Sequence, residues 1–255
     1  MSSAVTSRLV VGDRFRDFAE AVGAETFSGL TRSLDAGDLD TLQGPVHVVT
    51  GQGIGEFELS YLRDAITRRQ LDDRVVLVHS TALPARRQEL HKAREDNVLV
   101  AGLTQTDDRT YEAQLRLHDH NEILVDVQDR VHVQGMVAIE AARQMFLAVV
   151  EHYFTARWPQ QRYYIVLNSM NTTFSNFLFP VGATLRLTVD ESDLSEPSRL
   201  TVRTTVEVEQ AGRAAAAVTI DAAAFAPGLL EEKELRRAKG AVASAVDAAL
   251  ATATV

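Results

Sequence analysis

The sequence predicts an α+β protein in which an antiparallel sheet wraps around one central helix, preceded by a small α/β region. Three observations lead to this prediction. The segment from Gly135 to about Phe154 is a helix that is apolar on nearly all sides, which indicates that other structure encloses it. Runs of strand-like residues precede and follow this helix. Near the N-terminus, a strand, a Gly-rich turn, a helix and a second strand follow in the order of a β-α-β unit.

The composition is that of a globular chain and excludes several classes of function. The 255 residues are 45% hydrophobic, and 26 Lys and Arg stand against 35 Asp and Glu, a formal net charge of −9. This charge argues against nucleic acid as a partner, because phosphate backbones need clustered positive charge. The absence of Cys excludes disulfides and thiolate metal sites and favours the cytosol. With no run of ~20 apolar residues and no signal-peptide pattern, we expect a cytoplasmic protein without a membrane partner.

Residues 1–87 are predicted to form the small α/β region. Near-helical spacing of apolar residues predicts a helix over 13–34, and the pattern continues with a strand before Gly51, a helix at 58–69 and a strand at 75–79. The intervening Gly51-Gln-Gly-Ile-Gly resembles a dinucleotide-binding turn, in which backbone amides meet a pyrophosphate. Its third Gly is one position early, and no acidic residue ends the second strand to bind ribose. A tight turn is therefore the preferred interpretation.

Residues 88–226 are predicted to form the wrapped sheet, and residues 227–255 a C-terminal helical tail. Two strands precede the central helix and a run of strands follows it. The expected ranges are 97–104, 111–118, 163–167, 172–179, 183–189, 200–209 and 214–220. One long helix wrapped by such a sheet is the hotdog arrangement.

Three polar residues, Glu140, Arg143 and Gln144, lie on one side of the central helix because they are three and four positions apart. A carboxylate on an apolar helix is costly to desolvate unless it is paired or lines a wet pocket. The group is therefore a candidate site, and a purely architectural ion pair is the alternative. His132, on the loop before the helix, is a candidate acid–base partner of Glu140, with an ordinary surface His as the alternative.

Two further His residues, His118 and His120, have the spacing of side chains on one face of a strand. Such a pair is able to ligate a metal ion, but no third ligand has a recognisable spacing. We therefore expect no metal site.

The thirteen residues from His132 to Gln144, HVQGMVAIEAARQ, closely resemble the entry to the central helix in the A-factor (γ-butyrolactone autoregulator) biosynthesis hotdog family. LHKAREDNVLV at 90–100 and FSNF at 174–177 also resemble segments of that family, the approach to its first strand and the strand after its helix. The resemblance covers roughly residues 88–225.

This resemblance implies an enzyme that acts on acyl thioesters of acyl carrier protein or CoA, with no cofactor beyond the carrier's phosphopantetheine arm. Founding members transfer a β-ketoacyl group to the hydroxyl of dihydroxyacetone phosphate in butyrolactone signal synthesis. By position, it implies Glu140 and Arg143 as the catalytic pair. Their chemistry agrees with this, because Glu140 is able to act as general base on the attacking hydroxyl and Arg143 to hold the substrate phosphate or the developing oxyanion. The resemblance also implies a catalytic neighbour at His132 and substrate-binding roles for Gln144, Gly135, Phe174 and Phe177. The two Phe residues are expected to line the acyl tunnel, and core packing is the alternative for both.

The sequence departs from this family in one respect, and other hotdog functions stay open. Autoregulator-type members resemble two fused hotdogs, whereas residues 1–87 contain no second helix motif. A single hotdog pairs its sheet across a two-fold axis, so we expect a homodimer. Hotdog dehydratases resemble the same helix, but the position of their catalytic His falls near Asp126. A thioesterase in which Glu140 activates water, and a non-catalytic hotdog that binds an acyl thioester or a protein, are further alternatives.

Overall fold

The computed structural model describes residues 5–42, 44–125, 131–228 and 230–253. It confirms the hotdog fold with a small N-terminal α/β addition. Within these residues, a parallel sheet of four strands precedes an antiparallel sheet of six strands. No helix in this part of the chain is long and apolar enough to cross a membrane.

The N-terminal unit is a parallel sheet with helices. Its elements are β1 Thr6–Val11, α1 Arg16–Val22, β2 Glu25–Thr26, α2 Phe27–Ala36, β3 Val46–Thr50, α3 Glu56–Arg68 and β4 Val75–Val78. The strand order is β2-β1-β3-β4, and every neighbouring pair is parallel. The predicted β-α-β unit is β3, α3 and β4. The additional strand β1 was not predicted, because its apolar run is only three residues long, 9–11.

The single helix predicted over residues 13–34 is wrong, because two helices share this segment. Gly23 ends α1 with a φ of 69°, in the left-handed region that favours glycine and terminates helices. Thr26 begins α2, and its Oγ1 accepts a hydrogen bond from the Gly29 N–H at 3.1 Å. The short strand β2, Glu25–Thr26, follows Gly23 and ends at the Thr26 cap.

The hotdog unit consists of a wrapped sheet, its central helix α5 and a C-terminal helix. Its elements are β5 Val100–Asp107, β6 Thr110–Leu115, α4 Glu122–Val125, α5 Gly135–Val149, β7 Tyr164–Phe174, β8 Thr184–Asp193, β9 Arg199–Gln210, β10 Arg213–Phe225 and α6 Glu231–Ala253. The strand order is β5-β6-β8-β9-β10-β7, with antiparallel neighbours throughout. Residues 141, 142 and 144–149 of α5 are all buried, as the apolar composition of this helix predicts.

The strand predicted at 163–167 and the first three residues of the one predicted at 172–179 form one continuous strand, β7, whereas residues 175–179 lie outside it. Residues 168–171 are mostly polar, which at the sequence level predicts a loop. β7 lies at the edge of the sheet, where polar side chains can face solvent without breaking the ladder. The register shifts beside Asp221, and Asn168 donates a hydrogen bond to the Asp221 carboxylate at 2.7 Å.

The N-terminal unit packs directly on the hotdog. Phe15 and Phe18 are buried in the same hydrophobic core as α5. The buried side chain of Gln52 also links the units: its Oε1 accepts from the Leu117 N–H at 2.6 Å, and its Nε2 donates to the Leu115 carbonyl at 3.0 Å. The addition therefore covers part of the hotdog surface, and the domain boundary near residue 87 stays a prediction.

Candidate active site

Glu140, Arg143 and Gln144 form one hydrogen-bonded group on α5. Arg143 donates two parallel hydrogen bonds to the Glu140 carboxylate, from Nε to Oε2 at 2.8 Å and from Nη2 to Oε1 at 2.9 Å. Gln144 Nε2 donates to the same Oε1 at 3.0 Å. A two-pronged guanidinium–carboxylate contact is among the strongest and most directional of polar interactions in proteins. The structure thus brings together these three predicted site residues.

Lys92 is a fourth member of this group and was not among the site residues predicted from the sequence. Its Nζ lies 2.5 Å from Glu140 Oε1. Lys92 precedes β5 and reaches α5 across the tertiary structure, so no spacing rule connects it to Glu140. The one feature of the sequence that points to Lys92 is its position in the segment LHKAREDNVLV, which resembles the same family as the helix motif.

Gln144 is the buried member of the Glu140 group. Its side chain is fully buried, and its Oε1 accepts from the Leu99 N–H at 2.8 Å. Its Nε2 donates to the Asn97 carbonyl at 2.8 Å in addition to Glu140. With both amide hydrogens and the oxygen engaged, Gln144 ties α5 to the start of β5 and orients Glu140. The predicted contact of Gln144 with substrate stays a prediction.

The Glu140 carboxyl is strongly stabilised as the anion. Burial on its own raises the pKa of Glu140, but the hydrogen bonds from Arg143, Lys92 and Gln144 outweigh burial and lower this pKa to about 2. The Glu140 carboxylate in turn raises the pKa of Arg143. A carboxylate with so low a pKa is a weak base at neutral pH.

His132 belongs to a second group, at the beginning of α5. Its ring centroid lies 4.8 Å from that of Phe177. From Gly135 to Glu140 an α-helix rises about 7.5 Å and turns by about 140° beyond one full circle. Glu140 therefore faces the β5 side, whereas Gly135 faces Phe174 at the end of β7, the opposite edge of the sheet. No contact joins His132 to Glu140 in the described part of the chain.

Gly135, Phe174 and Phe177 lie with His132. A Cβ atom on Gly135 would stand 2.8 Å from the Phe174 ring, so only glycine lets this ring pack against the first turn of α5 in its present position. Phe174 and Phe177 are 55% and 67% exposed. Core packing within this chain, the alternative for both Phe residues, therefore does not explain them, and their role in holding an acyl chain stays a prediction.

The Gly-rich turn after β3 is a junction between the two units. The amides of Gly51, Gln52 and Gly53 donate to the carbonyls of Val10, Pro180 and Leu117. Gly53 has a φ of 82°, and a Cβ there would lie 2.7 Å from the backbone of Gly12. Because these three N–H groups already donate hydrogen bonds to protein carbonyls, they are not available to bind a phosphate.

His118 and His120 lie side by side, with ring centroids 5.5 Å apart. The described residues contain no cluster of three or more His, Asp, Glu or Cys side chains with ligand geometry. His118 Nδ1 accepts a hydrogen bond from the His120 N–H at 3.1 Å, and burial lowers the pKa of His118. Asp126, the position compared with the dehydratase His, lies outside the described residues.

Two cavities border the hotdog, and neither is lined by Glu140 or Arg143. One, of about 790 Å³, lies between the N-terminal unit and the hotdog, beside the Gly-rich turn. The other, of about 600 Å³, lies beyond the end of α5 near Tyr111 and Tyr153. The Glu140 group instead opens directly to solvent, because Lys92, Glu140 and Arg143 are partly exposed along one side of α5.

Comparison with known sequence families shows to which family this chain belongs. Residues 76–226, more than half of its length, match the A-factor biosynthesis hotdog domain. The chain belongs to this family. Residues before 76, which hold most of the parallel sheet, lie outside the match to the A-factor biosynthesis hotdog domain. No curated protein sequence matches the chain.

Solved structures similar to the chain include thioesterases and a dehydratase. A putative thioesterase from Shewanella oneidensis is 10% identical, with a TM-score of 0.42, over 55% of this chain and 94% of its own. A dehydratase heterocomplex from Xenorhabdus doucetiae is 16% identical, with a TM-score of 0.43, over 60% of this chain and 97% of its own. A mutant thioesterase from Pseudomonas aeruginosa is 13% identical, with a TM-score of 0.36, over 50% of this chain and 81% of its own.

Proposed function

We propose that this protein is an acyl-thioester enzyme that transfers a β-ketoacyl group from acyl carrier protein or CoA to a small hydroxylated acceptor. Membership of the A-factor biosynthesis hotdog family supports the acyl-thioester class. The observation that carries the proposal is the polar group of Glu140 and Arg143 on an otherwise apolar helix, partly open to solvent. Dihydroxyacetone phosphate is the acceptor that the family suggests.

The reaction requires an acceptor hydroxyl to attack the thioester carbonyl. A C–O bond forms and the C–S bond breaks, and the hydroxyl proton passes to the departing thiolate. Charge develops on the carbonyl oxygen during the attack, so a fixed cationic donor lowers the barrier. Arg143 is suited to this role or to holding a substrate phosphate, because Glu140 fixes its guanidinium plane.

For Glu140 we propose a positioning role in place of the general-base role predicted from the sequence. Its Oε1 receives three donors, and its pKa of about 2 makes proton abstraction at neutral pH unfavourable. A carboxylate that orients a guanidinium contributes to catalysis through Arg143. His132 and Phe177, at the exposed start of α5, are proposed to contact the acyl carrier side of the substrate.

We further propose that the protein acts as a homodimer joined at the β7 edge. β7 pairs with β10 on one side, and Tyr164, Leu167 and Phe174 along it are exposed. An unpaired strand edge with apolar side chains is a ready surface for a second sheet. A dimer at this edge would also cover the exposed aromatic group at the start of α5.

Incubation of the purified chain with a β-ketoacyl carrier thioester, with and without dihydroxyacetone phosphate, tests the function. Formation of the phosphate-bearing ester, detected by mass spectrometry, supports acyl transfer. Release of free acid at an equal rate in both samples would identify a thioesterase. Absence of any turnover would identify a binding protein and contradict the proposal.

A further inference from the structure

Lys92 gives the Glu140 group a second cation, which changes what this group is able to bind. We propose that Lys92 and Arg143 together form the binding site for a phosphate group of the substrates, with Glu140 holding the two cations in place. This inference rests on the proposed function and specifies the ligand chemistry of the same site. The phosphate belongs either to the acceptor or to the phosphopantetheine arm of the carrier, and the experiment below separates these sources.

The first argument is the balance of charge. One carboxylate, Glu140, faces two cations, Lys92 at 2.5 Å and Arg143 at 2.8 Å, so the group carries an excess of one positive charge. Charged side chains nearby are occupied elsewhere: His91 lies 3.0 Å from Glu151, and Arg94 pairs with Asp96 and Glu122. A purely architectural ion pair would be neutral, whereas an excess cation in a half-buried place favours an anionic ligand.

The second argument is the number of N–H donors left over. An Arg side chain has five N–H donors and a Lys side chain has three. Arg143 uses Nε and Nη2 on Glu140, and its Nη1 makes no hydrogen bond to the described residues. Lys92 Nζ contacts only Glu140 Oε1 among those residues. Donors from two separate cations suit a tetrahedral anion with several oxygens, such as phosphate, better than a single carbonyl oxygen.

The third argument is access. The side chains of Lys92 and Arg143 are 21% and 26% exposed, whereas Gln144 beneath them is fully buried. The cations therefore face solvent on one side and lie against the buried Gln144 on the other. A phosphate reaches them without any opening of the core, and binding costs little reorganisation because Glu140 already aligns both side chains.

The direct test is a ³¹P NMR titration with inorganic phosphate, which measures binding without turnover. We expect Lys92→Met to weaken phosphate binding about tenfold or more, since a charge-assisted hydrogen bond is lost. Lys92→Arg should restore most of the affinity because it keeps the cation. Lys233→Met, on the exposed helix α6, is the matched control and should leave binding unchanged. Thermal denaturation of each variant verifies that it is folded.

Steady-state kinetics then identifies the source of the phosphate. Lys92→Met should raise the KM of one substrate, dihydroxyacetone phosphate or the carrier thioester, with a much smaller effect on kcat. The substrate whose KM rises is the one whose phosphate Lys92 contacts. Equal phosphate affinity in the wild type and folded Lys92→Met would overturn the proposal. Phosphate binding without acyl transfer would instead retain this site and reject the proposed reaction.

Discussion

Val10 and Val11, adjacent on β1, are both fully buried and face two different hydrophobic cores. Val10 packs with Leu30, Leu34 and other residues of the N-terminal unit, whereas Val11 belongs to the core that contains α5. Successive side chains of a strand point to opposite faces, so one strand supplies both cores. The N-terminal sheet is therefore a structural layer of the hotdog, and its loss would expose part of the hotdog core.

Phe18→Ala should destabilise the hotdog although it lies outside the segment matched to the family. Phe18 is buried against the α5 core, and truncation of a buried Phe costs about 3–5 kcal/mol. Urea unfolding followed by circular dichroism measures the change in the free energy of unfolding. Phe57→Ala, at a side chain that is 73% exposed, is the control and should change this free energy by less than about 0.5 kcal/mol. A similarly small effect of Phe18→Ala would contradict the shared core.

Gln144→Leu should destabilise the fold more than its similar volume suggests. The substitution leaves the Leu99 N–H and the Asn97 carbonyl without their buried partner, and each unsatisfied group costs about 1–3 kcal/mol. Chemical denaturation gives the comparison. Gln105→Leu, at an exposed residue of β5, is the control. If both variants were equally stable, Gln144 would not be the link between α5 and β5.

The contribution of Glu140 to stability should depend on pH in a defined direction. Its pKa is about 2 in the folded chain against an ordinary value of 4.5, so folding favours the ionised form. This contribution is fully present above pH 4.5 and is lost as the pH falls from there toward 2. The difference in unfolding free energy between wild type and Glu140→Gln, measured in urea at pH 6, 4 and 3, should therefore become smaller as the pH falls.

Glu232→Gln, on the exposed first turn of α6, serves as the control for the pH series and should differ little from wild type throughout. A difference between wild type and Glu140→Gln that stays constant from pH 6 to pH 3 would show that the Lys92 and Arg143 contacts do not stabilise the ionised carboxylate.

Leu167→Asp should convert the proposed dimer into a monomer. Leu167 is 39% exposed on β7, and a carboxylate buried at a sheet–sheet contact is strongly unfavourable. Multi-angle light scattering measures the mass of each species. Leu83→Asp, at a side chain that is 80% exposed away from β7, should leave the mass unchanged. A wild-type chain with the mass of a monomer would reject the dimer.

Elements whose signals are local in the chain could be predicted from the sequence. The enclosed helix α5 is predicted by its nearly uninterrupted apolar residues, and the proximity of Glu140, Arg143 and Gln144 follows from spacings of three and four on one helix. The hotdog order follows from strands on both sides of that helix. These features depend on residues close in the chain, for which hydrophobic period and helix geometry are sufficient.

Contacts between segments that are distant in sequence could not be predicted and are seen only in the folded chain. Lys92 meets Glu140 across 48 positions of sequence, and no periodicity encodes such a contact. The separation of His132 from Glu140 depends on which sheet edge each side of α5 faces, and the role of the Gly-rich turn depends on carbonyls from the hotdog. Packing of one unit against another selects these contacts, because burial and hydrogen bonding are satisfied only when both partners are present.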